Sequence, residues 1–268
     1  MVYIAVSYLL VLIIGLVIGS FLNVCIYRIP KGESIVMPPS HCTNCGNRLR
    51  PVDLVPVLSY LLLGGKCRYC KEEVSFRYPL VELITGLAFV LLYFKYGPTV
   101  DFLAFAFMTS ILIAVFFIDL DHYIIPDGLV LTALAGGVAI AAYNAFHPLE
   151  IYGDAKWWNP LVGMLTGSGF LFLVALVGML VYKTDEAMGM GDVKIFAPIG
   201  IFLGWRMTLL ALLVSVVLGG VISLILILAN KRNRKDAIPF GPFIVTATFV
   251  VMLWGWEILR WYIGRLSA

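Results

Sequence analysis

The chain has 268 residues, of which 61% are hydrophobic and only 13% are charged. So few polar side chains cannot cover a water-facing surface, which excludes an ordinary soluble enzyme and predicts a protein surrounded mainly by lipid. The formal net charge is only +3 and no long run of like charge occurs, so charge gives no reason to expect a nucleic-acid partner.

Seven apolar stretches are long enough, or nearly so, to span a bilayer as helices of about 20 residues. They cover residues 4–26, 79–94, 102–118, 128–146, 160–182, 207–229 and 239–259. An eighth stretch, 195–205, is short and is interrupted by one proline and two glycines. If it also crosses, the basic loop 230–236 lies on the same side as 28–78, and the positive-inside rule makes that side the cytoplasm. The sequence therefore predicts an all-α membrane protein with about eight transmembrane helices.

One polar stretch is long, and it follows the first helix. We therefore expect residues 1–27 to form the first transmembrane helix and residues 28–78 to form a small cytoplasmic domain. Residues 79–268 are expected to form the rest of the transmembrane bundle.

Two CxxC pairs lie in the stretch 28–78: Cys42 with Cys45, and Cys67 with Cys70. Zinc takes four soft ligands in a tetrahedron, and each pair can supply two thiolates from one tight turn. The alternatives are two disulfides, which a reducing cytoplasm disfavours, or four unrelated thiols. The pattern predicts a structural zinc ion, because four thiolates leave no coordination position open for water.

Two acidic motifs are expected at the cytoplasmic ends of the spans. Asp119, Asp121 and Asp127 lie in the sequence IDLDHYIIPD, and Asp192 lies in the sequence GMGDVK. A carboxylate at hydrocarbon depth costs at least about 2.5 kcal/mol, so acids in such places are candidates for function. Asp119 directly follows an apolar run and is expected to be more buried than the other two acids of its motif.

Two carboxyl groups held close together can hydrolyse a peptide bond without a metal or a nucleophilic side chain. They share one proton, so that one acts as a base on water while the other donates to the carbonyl oxygen. Gly189 and Gly191 would support this arrangement by letting the backbone around Asp192 approach a neighbouring helix. The alternative is that these acids are solvated loop residues.

Taken together, these features resemble the type IV prepilin peptidase family over most of the chain. The sequence GLVIGSFLNV at residues 15–24 looks like the first helix of that family. The CxxC pairs and SFRYPLVE at residues 75–82 resemble its cytoplasmic loop and the entry to its second helix. The two acidic motifs look like its two aspartate motifs.

The resemblance implies which aspartates are catalytic. In the family the first stands seven residues before the proline, which selects Asp119, and the second is the aspartate of GxGD, which selects Asp192. The resemblance further implies that a leader is cut from prepilins and pseudopilins at the cytoplasmic face of the bacterial inner membrane. The new N-terminal amine would then be methylated with S-adenosylmethionine.

The methyltransferase activity and its S-adenosylmethionine rest on the resemblance alone, because the chain carries no nucleotide-binding pattern. Arg77 and Glu82 are candidate contributors to that activity. Glu82 is also explained as an acid in the first turn of a helix, where the helix dipole stabilises it.

Two other functions stay open: a different intramembrane aspartyl protease of the GxGD type, and a proton-coupled transporter that relays protons through aspartates. A transporter would place its acids near the middle of the bilayer, whereas these are expected at its edge. In the peptidase reading, acids of the stretch 28–78, among them Asp53, Glu72 and Glu73, are expected to meet the basic leader of the substrate. The sequence predicts no oligomeric state.

Overall fold

The computed structural model describes residues 2–182, 189–229 and 238–266. Within these ranges the regular secondary structure is helical and no β-strand is formed, which confirms the predicted all-α fold for this part. Two isolated bridges, between His41 and Arg48 and between Lys66 and Glu73, close turns in residues 29–76. We call residues 29–76, which connect the first long helix to the next, the cysteine segment.

The α-helices are Val2–Arg28 (α1), Leu58–Leu62 (α2), Arg77–Tyr96 (α3), Val100–His122 (α4), Asp127–Asn144 (α5), Asn159–Met164 (α6), Phe170–Tyr182 (α7), Met190–Leu228 (α8) and Gly241–Leu266 (α9). A π-helical turn, Leu165–Gly169, joins α6 to α7, so these three run as one helix. On that count, seven helices of the described ranges are long and apolar enough to cross a membrane. The chain is a multi-pass membrane protein.

The chain packs as two compact units. The first unit is Met1–Phe102 with Leu112–Ala114, and the second is Leu103–Ile111 with Val115–Ala268. The division at residues 27 and 78 expected from the sequence stays a prediction.

In the first unit, α1 and α3 are in close contact because α1 presents glycines to α3. A Cβ atom on Gly15 would lie 2.7 Å from the Cα of Gly86, and one on Gly19 would lie 2.7 Å from the Cα of Glu82. Small residues four positions apart let the backbones of two membrane helices approach closely. Van der Waals packing then stabilises the pair, because lipid provides no hydrophobic driving force between helices.

In the second unit, α8 is two helical limbs joined by a sharp break at Gly204, whose φ of 70° and ψ of 170° are not helical. The limbs are residues 190–203 and 205–228. A Cβ on Gly167 would lie 3.0 Å from the carbonyl oxygen of Phe196 and 2.8 Å from the Cγ2 of Thr208, so both limbs pass the same point of the neighbouring helix. The limbs therefore form a hairpin. The short stretch 195–205 predicted as an eighth span belongs to the first limb and the break.

The break in α8 is held by hydrogen bonds from the first residue of α6 and from the loop before it. The Oδ1 of Asn159 accepts from the backbone N–H of Trp205 at 3.1 Å, and its Nδ2 donates to the carbonyl oxygen of Tyr152 at 3.2 Å. The hydroxyl of Tyr152 donates to the carbonyl oxygen of Ile201 at 2.8 Å. Side chains thus satisfy backbone groups that the interrupted helix leaves without helical partners.

Candidate functional site

The two acidic motifs lie beside each other in the second compact unit. A Cβ on Gly191 would lie 3.1 Å from the Cβ of Ile125, so a glycine here allows an unusually close approach of the two segments. The Nζ of Lys194 donates to the Oδ1 of Asp127 at 2.8 Å. The structure therefore brings the sequences IDLDHYIIPD and GMGDVK into direct contact.

Asp119 is buried in the last turn of α4, with only 6% of its surface exposed. Its Oδ2 accepts a hydrogen bond from the backbone N–H of Gly241, the first residue of α9, at 2.8 Å. A Cβ on Gly241 would lie 2.6 Å from that same oxygen, so any side chain here would displace the carboxylate. Sequence reasoning missed Gly241. The signal that could have found it is a glycine between Phe240 and Pro242 at the start of an apolar helix.

Asp192 is partly exposed and lies in the first turn of α8. Its backbone N–H donates to the carbonyl oxygen of Gly189 at 3.1 Å, and a Cβ on Gly189 would lie 3.1 Å from its Oδ2. Gly189 and Gly191 both leave room around the turn that carries Asp192.

The other polar residues of the first acidic motif face outward. Asp121, His122 and Asp127 are all exposed, and the side chain of Asp127 is 67% exposed. The burial of Asp119 relative to Asp121 and Asp127 is the order expected from the sequence. Of these residues, Asp119 is the one whose carboxyl group is shielded from water.

The four cysteines of the CxxC pairs meet at one point in the first unit. The Sγ atoms of Cys42, Cys45, Cys67 and Cys70 all lie within 4.8 Å of one another, and those of Cys42 and Cys70 are 3.9 Å apart. Four thiolates bound to zinc at about 2.3 Å in a tetrahedron would be about 3.8 Å apart. The donor set and its spacing therefore fit a zinc ion.

The two CxxC turns have the same backbone pattern. The N–H of Gly46 donates to the carbonyl oxygen of Cys42 at 2.9 Å, and the N–H of Lys71 donates to that of Cys67 at 3.0 Å. Gly46 and Lys71 have positive φ values of 69° and 63°. In the first turn, the backbone N–H of Cys45 lowers the pKa of the Cys42 thiol to about 7, which favours the thiolate form. Each turn thus aims two sulfur atoms at a common centre.

Two family models match the chain: residues 13–96 match the bacterial peptidase A24 N-terminal domain, and residues 106–224 match the type IV leader peptidase family. A prepilin leader peptidase/N-methyltransferase of Aeromonas salmonicida (strain A449) is 34% identical over 283 residues, covering 96% of this chain and 94% of the relative. The chain belongs to the type IV leader peptidase family.

Two further relatives carry the same description as the Aeromonas protein. One from Pseudomonas aeruginosa is 34% identical over 275 residues, covering 94% of this chain and 92% of the relative. One from Myxococcus xanthus is 38% identical over 220 residues, covering 82% of this chain and 63% of the relative. No solved structure matches the chain.

Asp53 has a structural place in the N-terminal domain of this leader peptidase. The sequence predicted that it would face the substrate, but only 3% of its side chain is exposed. Its Oδ1 accepts from the Nε of Arg68 at 2.6 Å, and its Oδ2 accepts from the N–H of Arg50 and the hydroxyl of Tyr69. The Arg68 guanidinium holds the pKa of Asp53 below its usual range. Asp53 thus ties the short helix Pro51–Leu54 to the second CxxC turn.

Glu82 and Arg77 lie in the first turns of α3 in the leader peptidase. Glu82 is buried, and its Oε2 accepts from the backbone N–H of Val57 at 2.7 Å. Its Cα lies against α1, since a Cβ on Gly19 would be 2.7 Å from it. Arg77 is half-buried, and its backbone N–H donates to the hydroxyl of Ser75 at 3.2 Å. The contacts of Glu82 give it a supporting place between the cysteine segment and α1.

Proposed function

We propose that this chain cleaves the leader from type IV prepilins and pseudopilins with Asp119 and Asp192, and then methylates the new N-terminal amine with S-adenosylmethionine. Membership of the leader peptidase family supports the cleavage of prepilins, and the names of the relatives pair that activity with N-methylation.

The chemistry proposed for Asp119 and Asp192 is hydrolysis by a pair of carboxyl groups that share one proton. The carboxylate takes a proton from water, and the resulting hydroxide adds to the carbonyl carbon of the scissile bond. The protonated carboxyl donates its proton to the carbonyl oxygen. When the C–N bond breaks, the leaving nitrogen takes a proton from the pair while a hydroxyl of the tetrahedral intermediate returns its proton to the pair, so that a carboxylic acid forms and the pair regains its single shared proton.

The observation that carries this proposal is the hydrogen bond from Gly241 to Asp119. It fixes one carboxylate oxygen in a buried position while the Gly191 and Ile125 contact holds the second motif alongside. Groups held in place before the substrate arrives are the main means by which an active site gains rate, because no reorganisation is needed during the reaction.

The first prediction tests the pair. Asp119→Asn and Asp192→Asn should each abolish leader cleavage, because a shared-proton pair loses its function when either carboxyl is replaced. Asp121→Asn is the matched control, since it makes the same change two residues away at an exposed position. Cleavage is measured on a purified prepilin in reconstituted membranes. Near wild-type turnover by either pair variant would show that the assignment is wrong.

The methyltransferase activity is proposed from the family, and no step of it is assigned to a residue. Arg77 and Glu82 stay proposed contributors. Asp119→Asn supplied with an already cleaved pilin separates the activities. Methylation of that pilin by the cleavage-deficient variant would show that the two sites are distinct.

We also propose that zinc occupies the cysteine cluster as a structural ion. Cys42, Cys45, Cys67 and Cys70 would hold it, and it would cross-link the two CxxC turns. With four thiolates bound the ion has no position for water or substrate, so its contribution is to the stability of the cysteine segment and not to hydrolysis.

The proposed location is the bacterial inner membrane, with Asp119 and Asp192 at the cytoplasmic face. The support comes from the positive-inside rule applied to the whole sequence. Part of that count, the basic loop 230–236 and residues 183–188, lies outside the described residues. An impermeant protease added to right-side-out membrane vesicles should leave the cysteine segment intact, and added to inverted vesicles it should cut there.

A further inference from the structure

The cysteine segment, expected to be polar, contains a continuous apolar stretch on its surface. Residues 52–63 include α2, and every residue from 54 to 63 except Ser59 is apolar or aromatic. Leu58, Leu61 and Leu62 of α2 are 57%, 65% and 85% exposed. An apolar stretch of 10 to 14 residues is too short to span a membrane but is typical of a buried, re-entrant or interfacial segment. Because these leucines are exposed, the stretch is not a buried core segment, and a re-entrant or interfacial segment is left.

The depth of this stretch is fixed by its hydrogen bond to α3. The N–H of Val57, immediately before α2, donates to the Oε2 of Glu82 at 2.7 Å. α3 has 20 residues and is about 30 Å long, so it just matches the hydrocarbon core of a bilayer. Glu82 comes five residues after the start of α3, about 7.5 Å along its axis. A backbone amide bonded to Glu82 therefore lies below the headgroup level.

Contacts with α1 also place Glu82 away from the end of a membrane-spanning helix. A Cβ on Gly19 would touch the Cα of Glu82, and Gly19 lies nine residues before the end of α1, about 14 Å along the axis. Contacts with two membrane-spanning helices thus place the hydrogen bond between Val57 and Glu82 below the headgroup level.

The backbone at Val57 has an unusual conformation where it bonds Glu82. Val57 has a φ of 61°, a conformation that a β-branched residue rarely adopts. Such a conformation persists where surrounding contacts determine it, and here the hydrogen bond from Val57 to Glu82 is one of them. The ring of Tyr60 also packs on that of Phe76 with centroids 6.4 Å apart, holding α2 against the segment that leads into α3.

We propose that residues 52–63 form an interfacial membrane anchor, and that the partner of their exposed apolar surface is the bilayer itself. Leu58, Leu61 and Leu62 lie in the outer part of the acyl chains, continuous with the lipid-facing side of α3 at Leu83 and Leu87. The cysteine cluster is therefore held against the membrane surface and does not extend freely into water. The inference rests on the spans and not on the proposed proteolysis.

The test is fluorescence quenching by lipid on the full chain. An environment-sensitive fluorescent amino acid is introduced in place of Leu62 in one variant and of Glu73, an exposed acid of the same segment, in another. Each variant is reconstituted in phosphatidylcholine and phosphatidylglycerol vesicles whose acyl chains carry bromine near the carbonyl end. Both positions are exposed, so neither replacement disturbs a packed core.

We expect quenching at position 62 to be at least about threefold stronger than at position 73, with blue-shifted emission. Equal weak quenching with red emission at both positions would overturn the proposal by showing that α2 faces water. Blue-shifted emission at position 62 without quenching by brominated lipid would also overturn it, because a protein surface would then cover α2. Retention of zinc by both variants confirms that the cysteine segment is intact.

Discussion

At Gly241 the lack of a side chain allows a backbone amide to reach the carboxylate of Asp119. The hydrogen bond is 2.8 Å long and joins residues 122 positions apart in sequence. The carboxylate also excludes any larger residue at position 241, because a Cβ atom there would come closer to its oxygen than ordinary van der Waals contact allows. A residue with no ionisable group therefore fixes the position of the Asp119 carboxylate.

The second prediction concerns this glycine. Gly241→Ala should lower leader cleavage by roughly 100-fold, because a displacement of about 1 Å in a reacting group can cost that much rate. Gly220→Ala is the matched control, since a Cβ there meets nothing within 4 Å. Turnover is measured under substrate saturation, together with the amount of folded protein in the membrane. Unchanged turnover in Gly241→Ala would mean that the carboxylate does not depend on this amide.

The sequence could single out Asp119 and Asp192 as candidates because each lies in a short local motif with a glycine, a proline or an apolar run beside it. It could not identify Gly241, whose importance comes from a contact between α4 and α9. It also misjudged Asp53, since an acid in a polar stretch gives no sign that Arg68 and Tyr69 will enclose it. Contacts between residues that are distant in sequence leave no local sequence pattern from which they could be predicted.

At the scale of elements, α8 shows how a helix interruption becomes part of the architecture. Gly204 turns the chain back on itself, and Asn159 bonds the first N–H after the turn. In a membrane such an interruption is tolerated where side chains replace the missing helical bonds. In the sequence this stretch was unusual for its proline and two glycines. In the structure the proline lies in the first limb, and one of the glycines, Gly204, forms the turn of the hairpin.

The third prediction concerns Asn159, which is 1% exposed. Asn159→Ala should lower the free energy of unfolding by roughly 2 kcal/mol, because it leaves the N–H of Trp205 and the carbonyl of Tyr152 buried without these partners. Thr132→Ala is the control, since its exposed hydroxyl bonds only within its own helix. Unfolding is followed in mixed detergent micelles. A loss below about 0.5 kcal/mol, within the range of an ordinary surface substitution, would contradict the role given to Asn159.

The fourth prediction concerns the cysteine segment. Protein purified without chelator should contain about one zinc per chain, because four thiolates complete one tetrahedral site. Cys42→Ser should release the metal and make the segment easier to digest, while Cys25→Ala, a buried cysteine of α1, should change neither result. Elemental analysis measures the metal. Finding none in the wild-type chain would remove zinc from the description.

For the whole molecule, hydropathy located the membrane helices well. The predicted stretches 79–94, 102–118 and 128–146 correspond to α3, α4 and α5, whose observed ends differ by no more than four residues. Composition could not reveal that residues 52–63 are anchored at the depth of Glu82, because that depth depends on one hydrogen bond between distant residues. The positions of the membrane helices follow from the hydrophobicity of the sequence. The positions of short segments between them depend on particular contacts.

The short first limb of α8 has a consequence for the lipid around the enzyme. Residues 190–203 are about 21 Å long, whereas the hydrocarbon core is about 30 Å thick. Such hydrophobic mismatch is relieved by local thinning of the bilayer, and thinning beside Asp192 would bring water to a peptide bond at the membrane edge. We expect leader cleavage to be faster in short-chain than in long-chain phosphatidylcholine at equal enzyme content. A rate that rises with acyl-chain length, measured in matched proteoliposomes, would show that water reaches the aspartates by another route.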